Sequence, residues 1–375
     1  MSSNFDAMRL AVEGFHPSNT VLYDDMGLPS FMVRIPKFKI SDVITGGSDA
    51  VHPAFIVDGV EVPEIFISKY QNIVEGDRAY SLPGQDPHTY VNFDQAKTFC
   101  ENKGKGWHLM SNAEWAAISL WCQKNGFLPR GNTSFVKHHT YTHEHGVVTY
   151  RYGDPLTDGR VATGSGPVSW AHDNSPDGIF DLCGNVWEWV SGLRLENGQI
   201  QVIPNNNSAA GVDESATSTL WKGISTAGAL IDQGASGGLY FDSSVAGDAT
   251  ATNHGVGGTP ILNTSRSNPQ YTGGDTDAYY GYNSCMFKAL AAQSGVTIPE
   301  LLRVLGIMPL DGYDGEGAFY LRNYGERLPL RGGAWGSSSS AGVCALNCNN
   351  ARANSNHDVG FRAALPHRQM PSAHG

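Results

Sequence analysis

The chain has 375 residues, 40% of them apolar and only 16% charged, with 45 glycines. This composition suits a loop-rich globular protein of one large domain or two ordinary ones, and it excludes a disordered chain or a long-helix fold. A formal net charge of −11, with no Lys/Arg-rich run, argues against nucleic acid as a partner.

Asp6, Arg9 and Glu13 interrupt the first fifteen residues, and nowhere do roughly 18 apolar residues follow one another, so neither a signal peptide nor membrane insertion is expected. Residues 6–14 read as a short helix and 30–40 as an alternating strand with Phe31, Val33 and Ile35 on one face. A strand pair is expected at 54–57 and 62–70, turning at Asp58 and Gly59. The main domain is read as 54–366, with 1–53 as an N-terminal extension and 367–375 as a tail. Two capping boxes, Asn92 with Gln95 and Ser111 with Glu114, open helices bearing Phe93, Ala96, Phe99 and Cys100, then Trp115, Ile118, Trp121 and Cys122. The six cysteines form no C-x-x-C pair and are expected as reduced thiols, Cys100 and Cys122 packing on their helices.

A Gly-, Asp- and Asn-rich stretch, 153–192, ends in Trp187, Glu188 and Trp189. Residues 193 to about 280 are low in charge and read as long loops with short strands. Helices are expected at 284–294 and from Thr297 and Glu300 through Leu301, Leu302, Val304 and Leu305, then strands at 319–323 and 328–331. The whole of 193–325 is read as a long insertion.

Several clusters could carry chemistry. His138, His139, His143 and His145 with Glu144 have metal-ligating side chains, in a stretch that also reads as a polar loop. Asp173, Asp177 and Asp181, near Asn174 and Asn185, offer hard oxygens suited to Ca2+, although Asx turns explain the same residues. Glu188 is expected in a buried pair with Arg331 or Arg362.

Five segments, 65–70, 91–100, 107–115, 177–189 and 330–364, resemble in this order the formylglycine-generating-enzyme type of C-type-lectin-like fold. LMSNAEW at 109–115, DGIFDLCGNVWEWV at 177–190, RGGAW at 331–335 and GFRAA at 360–364 carry the likeness. The resemblance implies an α+β domain, places Trp187 and Trp189 in the core rather than under a sugar, and admits Ca2+ while requiring no cofactor. Within this group, LRGGAWGSSSSAGVCALNCNNARANSNHDVGFRAAL is similar to the variable region, about 331–365, of proteins diversified by retroelements that mutate template adenines. Mutating the first two bases of an Asn codon yields Asn, Ser, Gly, Ala, Cys, His, Asp and Tyr, among others, but never Lys, Glu, Gln, Met or Trp. Between residues 334 and 364 those five types occur once, as Trp335. By this likeness Ala334, Gly336, Ser337, Ser338, Ser340, Cys344, Cys348, His357 and Asp358 are the ligand-binding variable positions. Trp335, Leu346, Asn350, Arg352, Gly360, Phe361 and Arg362 are scaffold.

The resemblance also raises an oxidase that makes formylglycine with a closely spaced, copper-binding cysteine pair after this turn. Counting from Trp335, those positions here hold Ser337 and Gly342, with Cys344 and Cys348 farther on. No catalytic residue is therefore expected. The implied function is recognition of a protein or glycan on a cell surface, by a phage-tail protein or one held in the cytoplasm of its producing bacterium; oligomerisation is left open, and a structural tail protein without specific ligand is the alternative.

Overall fold

The structure, a computed structural model, describes residues 6–246, 257–267 and 281–367. Asp6 accepts a hydrogen bond from the Arg9 amide and opens α1 (Ala7–Phe15). β1 (Asn19–Tyr23) and β2 (Pro29–Pro36) form a hairpin, and β2 pairs antiparallel along β3 (Glu64–Ser68). Both capping boxes form, starting α2 (Phe93–Glu101) and, after β4 (His108–Leu109), α3 (Asn112–Lys124). Such reciprocal caps satisfy amides that the first helical turn leaves without partners, at about 1 kcal/mol each. Ser111 does more, since its hydroxyl also donates to Asn206 Oδ1 at 2.6 Å in a buried setting.

Among the further strands are β5 (Trp187–Trp189), β6 (Leu193–Glu196), β7 (Gln199–Val202), β8 (Tyr240–Val245), β9 (Gly257–Asn263) and β10 (Tyr282–Met286). After the short α4 (Glu300–Val304) come β11 (Ala318–Arg322), β12 (Glu326–Gly332), β13 (Gly342–Asn350), β14 (Val359–Phe361) and β15 (Ala363–Pro366). A five-stranded sheet has the order β1-β2-β3-β15-β4. A larger sheet runs β10-β11-β13-β12-β6-β7-β8-β9, and β5 joins it by pairing with both β12 and β14. Trp115, Ile118 and Cys122 of α3 lie in one apolar core with Leu195, Ile200, Phe241, Phe319 and Leu346 of this sheet. Phe93 and Ala96 of α2 pack in a second core with Trp187, Trp189 and Phe361.

Three expectations are corrected, and two stretches prove to be woven into the sheets. Within 1–53, read above as an N-terminal extension, β2 is bonded into the five-stranded sheet, and Val33 and Ile35 enter the core. Within 193–325, read above as a long insertion, β6, β7 and β11 are strands of the large sheet and their apolar faces share its core. Parts of it, 247–256 and 268–280, and 368–375 of the expected tail, lie outside the described residues. The helix at 284–294 is instead β10 followed by a single 3-10 turn, since pairing with β11 from Tyr282↔Arg322 to Met286↔Ala318 outweighs local helical spacing. The helix after it spans only Glu300–Val304, starting at Pro299 without a side-chain cap. The expected pair at 54–57 and 62–70 shrinks to Ile56–Val57 with Val60–Glu61, while β3 takes its partners from β2 and β15.

Candidate ligand-binding face

β12 ends at Gly332, which Gly333 follows, both at positive φ (89° and 91°), and a Cβ on Gly333 would lie 2.5 Å from the Ala341 side chain. Only glycine lets the chain reverse so close to its own return. The turn that follows is tied internally: Ala334 N donates to Ser337 Oγ, Ser337 N to Ala334 O, and Ser340 N to Ser337 O. It is also clamped from both sides, since Ser338 N donates to Thr133 O at 2.8 Å and Gly317 N to Ser339 O at 3.1 Å. Gly336, Ser338 and Ser339 are exposed, and Ser337 and Ser340 half-buried.

A second turn, 351–358, leads into β14 and carries His357 and Asp358, both half-buried. The two turns meet at Trp335, whose ring is 4% exposed and stands edge-on to His357 at 5.2 Å. Burial pushes the Asp358 carboxyl above its ordinary pKa, with the neighbouring His357 opposing this.

Sequence reasoning missed the rings that extend this face. Tyr152, in a short ribbon (Arg151–Tyr152 with Thr157–Asp158), stacks on His357 at 4.3 Å. Tyr90 lies 6.3 Å from His357 and donates its amide to Asn356 O, and Tyr150 lies 5.9 Å from Trp335. Arg160 sits 3.8 Å over the Tyr150 ring and is held by Asp86 through two bonds of 3.0 and 2.7 Å. These residues are 180 or more positions from the second turn, so their only sequence signal is that of tyrosines in polar loops.

The other three candidates lie behind the face. Ala334, Cys344 and Cys348 are only 3%, 3% and 1% exposed, so their side chains do not reach the surface. Burial pushes the Cys344 and Cys348 thiols up to about 11 and about 12, which disfavours the thiolate that a nucleophile or copper ligand needs. Four residues apart on β13, they are separated by roughly 13 Å at the usual strand rise, too far for one metal ion to bridge. The residues present do not fit the copper centre of an oxidase.

The histidine loop is likewise organised differently from its sequence reading. Glu144 is buried against Arg130 and the Trp170 indole N–H rather than facing the histidines, while His143 and His145 are exposed. His138 and His139 come together with Glu316, the one such grouping of potential metal ligands among the described residues. His138 Nδ1 accepts the amides of Thr140 and Tyr141, which leaves the ring proton on Nε2 and makes this ring a cap for its own turn. His139 bridges Thr133 and Glu316, the same two segments that clamp the serine turn. Asp173, Asp177 and Asp181 do not converge as a calcium site: Asp173 accepts the Ser175 amide in an Asx turn, and Asp181 points into the core.

Glu188 and Arg362 form the buried pair that holds β14 and β15 beneath the second turn. Trp187 and Trp189 are core residues, Trp189 donating its indole N–H to Val91 O at 3.0 Å. Among the described residues no helix is long and apolar enough to cross a membrane.

Comparison with curated proteins finds no match. Among solved structures, the chain is similar to Treponema denticola variable protein 1, at 11% identity over 93% of this chain and 99% of that one, with a TM-score of 0.32. It is also similar to PvdO from Pseudomonas aeruginosa (14% identity, 92% and 98% coverage, TM-score 0.29) and to the Major Tropism Determinant U1 variant (12%, 93% and 71%, 0.27). Residues 12–234, more than half of the chain, match the model of the sulfatase-modifying factor enzyme 1-like domain. The chain therefore belongs to the sulfatase-modifying factor enzyme 1-like family, and its fold is the α+β, C-type-lectin-like fold of the formylglycine-generating-enzyme type.

Proposed function

We propose that this protein is a non-enzymatic receptor-recognition protein whose binding face is varied by a diversity-generating retroelement. One observation carries the reading: Gly336, Ser337, Ser338, Ser340, His357 and Asp358 occupy two surface turns that meet over the buried Trp335. The exposed positions among them, Gly336 and Ser338, can change at a cost usually within about 0.5 kcal/mol, while Trp335, Phe361 and Arg362 keep the frame fixed. Binding specificity can then vary independently of folding, as in a paratope built on a rigid scaffold. Ala334, Cys344 and Cys348, being buried, are outside the proposed contact set. The partner is a protein or glycan of a cell surface, and the setting a phage tail or the bacterium that makes it; no cofactor is required.

The test compares the protein with a variant in which Ser337, Ser338, Ser340, His357 and Asp358 are all replaced by residues reachable from an Asn codon. Both are titrated against a panel of purified bacterial surface proteins and glycans, with melting temperature measured in parallel. Altered binding at constant melting temperature is the expected result. Unchanged binding, or loss of folding, would favour a purely structural tail protein.

A further inference from the structure

Eleven non-glycine residues among those described adopt a positive φ, and seven are Asn or Asp, which tolerate that region through their short polar side chains. The other four are Tyr90 (56°), Phe135 (50°), Val136 (84°) and Ser338 (52°). All four belong to the neighbourhood of Trp335 and His357. Tyr90 donates its amide to Asn356 O beside His357, Phe135 donates its amide to Trp335 O, Val136 follows it in the chain, and Ser338 is in the serine turn. A bulky or β-branched residue in this region costs of order 1 kcal/mol or more, and such strain persists where the surroundings impose it.

The strained positions also display what a core would hide. Tyr90 is 60% exposed and Phe135 46%, and Tyr152, stacked on His357, is 49% exposed. Arg160 is matched by Asp86 and Arg151 by Asp158, and beside these pairs the face presents rings and small polar groups. Among the described residues, none of the five best-formed cavities is lined by Tyr90, Phe135 or Tyr152. A small ligand needs a concave site, whereas an open face of Tyr, Ser, Gly and Asn is the composition of protein-binding paratopes.

Resting on the binding function proposed above, we infer that Tyr90, Tyr152 and Phe135 form a constant aromatic platform beside the variable turns, and that this platform docks the surface of a folded protein partner. The tyrosines supply rigid contact area common to every variant, and the two turns supply the choice among partners. Because the platform lies outside 331–365, it is untouched by diversification.

The experiment uses the full chain displayed as a library randomised at Gly336, Ser337, Ser338, Ser340, His357 and Asp358. It is selected separately against a purified lysozyme and against dextran. Into each lysozyme binder obtained, Tyr90→Gly and Tyr152→Ala are then introduced together. Glycine at position 90 removes the ring and relieves the backbone, so the melting temperature should hold or rise, while Kd should weaken about tenfold or more, as for loss of interface anchors. Affinity kept within about twofold would overturn the platform and leave the binding function standing. A fall in melting temperature accompanying the loss would make the rings structural, and also overturn it. Binders to dextran alone would replace the protein partner by a glycan, and no binders to either probe would overturn the binding function itself.

Discussion

Glu188 lies opposite Arg331 in the backbone register of β5 and β12, yet its carboxylate is held by Arg362 through two bonds of 2.6 Å. Arg331 turns the other way, toward Asn112 Oδ1 and the carbonyl of Gly306. The Glu188–Arg362 pair has side-chain exposures of 1% and 0%, and its remaining polar groups are satisfied by Gln71, Ser68 O and Phe180 O. Removing one partner strands a charge in the core. Arg362→Met should therefore cost about 3–5 kcal/mol, and Glu188→Gln combined with Arg362→Met clearly less than the sum of the single changes. Urea unfolding of the three variants checks this, and additive losses would contradict it.

The surface and buried candidates should separate in stability. Ser338→Asp and Ser340→Asn should each shift unfolding by no more than about 0.5 kcal/mol. Cys344→Asp or Cys348→Asp places a larger, charged group in the packed interior and should cost several kcal/mol or prevent folding. Thermal melts of the four variants decide it, and equal tolerance at all four sites would put the two cysteines back on the variable face.

Asp181 gives a pH dependence of known sign. It is 1% exposed; one oxygen accepts the Gly164 amide, the other has no hydrogen-bond partner, and burial pushes the carboxyl up to about 6. With the folded pKa above the ordinary 3.8, the unfolded chain releases this proton first, so Asp181 lowers stability as pH rises from about 4 to about 6. Asn is tolerated at its positive φ and carries no charge. Asp181→Asn should stabilise the protein at pH 8, on the order of 1–3 kcal/mol, and lose that advantage at pH 4. Paired denaturation curves at the two pH values provide the check.

Thiol reactivity should follow burial. Five cysteines are buried with their thiols pushed up, while Cys285 is half-buried and raised to about 11. At pH 8 an aromatic disulfide reagent should label Cys285 first and slowly, and the other five only on unfolding. Fast labelling of Cys344 or Cys348 in the native protein would reopen their role in chemistry.

What could be read in advance was local or core-facing. The capping boxes at Asn92 and Ser111 formed because both partners of each lie within four residues. The burial of Trp335, Phe361 and Arg362 beneath the serine turn was implied by the family resemblance, since residue type alone would place an arginine outside. Pairings across the chain were not legible: residues 282–286 become a strand only because Ala318–Arg322 lies beside them, and β2 joins the domain only through β3. The choice of Arg362 over Arg331 for Glu188 was undecidable for the same reason, as was the convergence of Tyr90 and Tyr152 on His357.

The position of β15 has a consequence for how such a protein can be altered. Residues 363–366 sit between β3 and β4, inside the five-stranded sheet, at the very end of the region proposed to vary. A copy whose reading frame shifts within that region would lack both Arg362 and the strand that joins the sheet's two halves. It would leave Glu188 unmatched and β4 without its neighbour. Under the proposed diversification, folding itself would sort new versions: altered side chains in the two turns would leave the sheet intact, and a frame error would remove the strand that closes it.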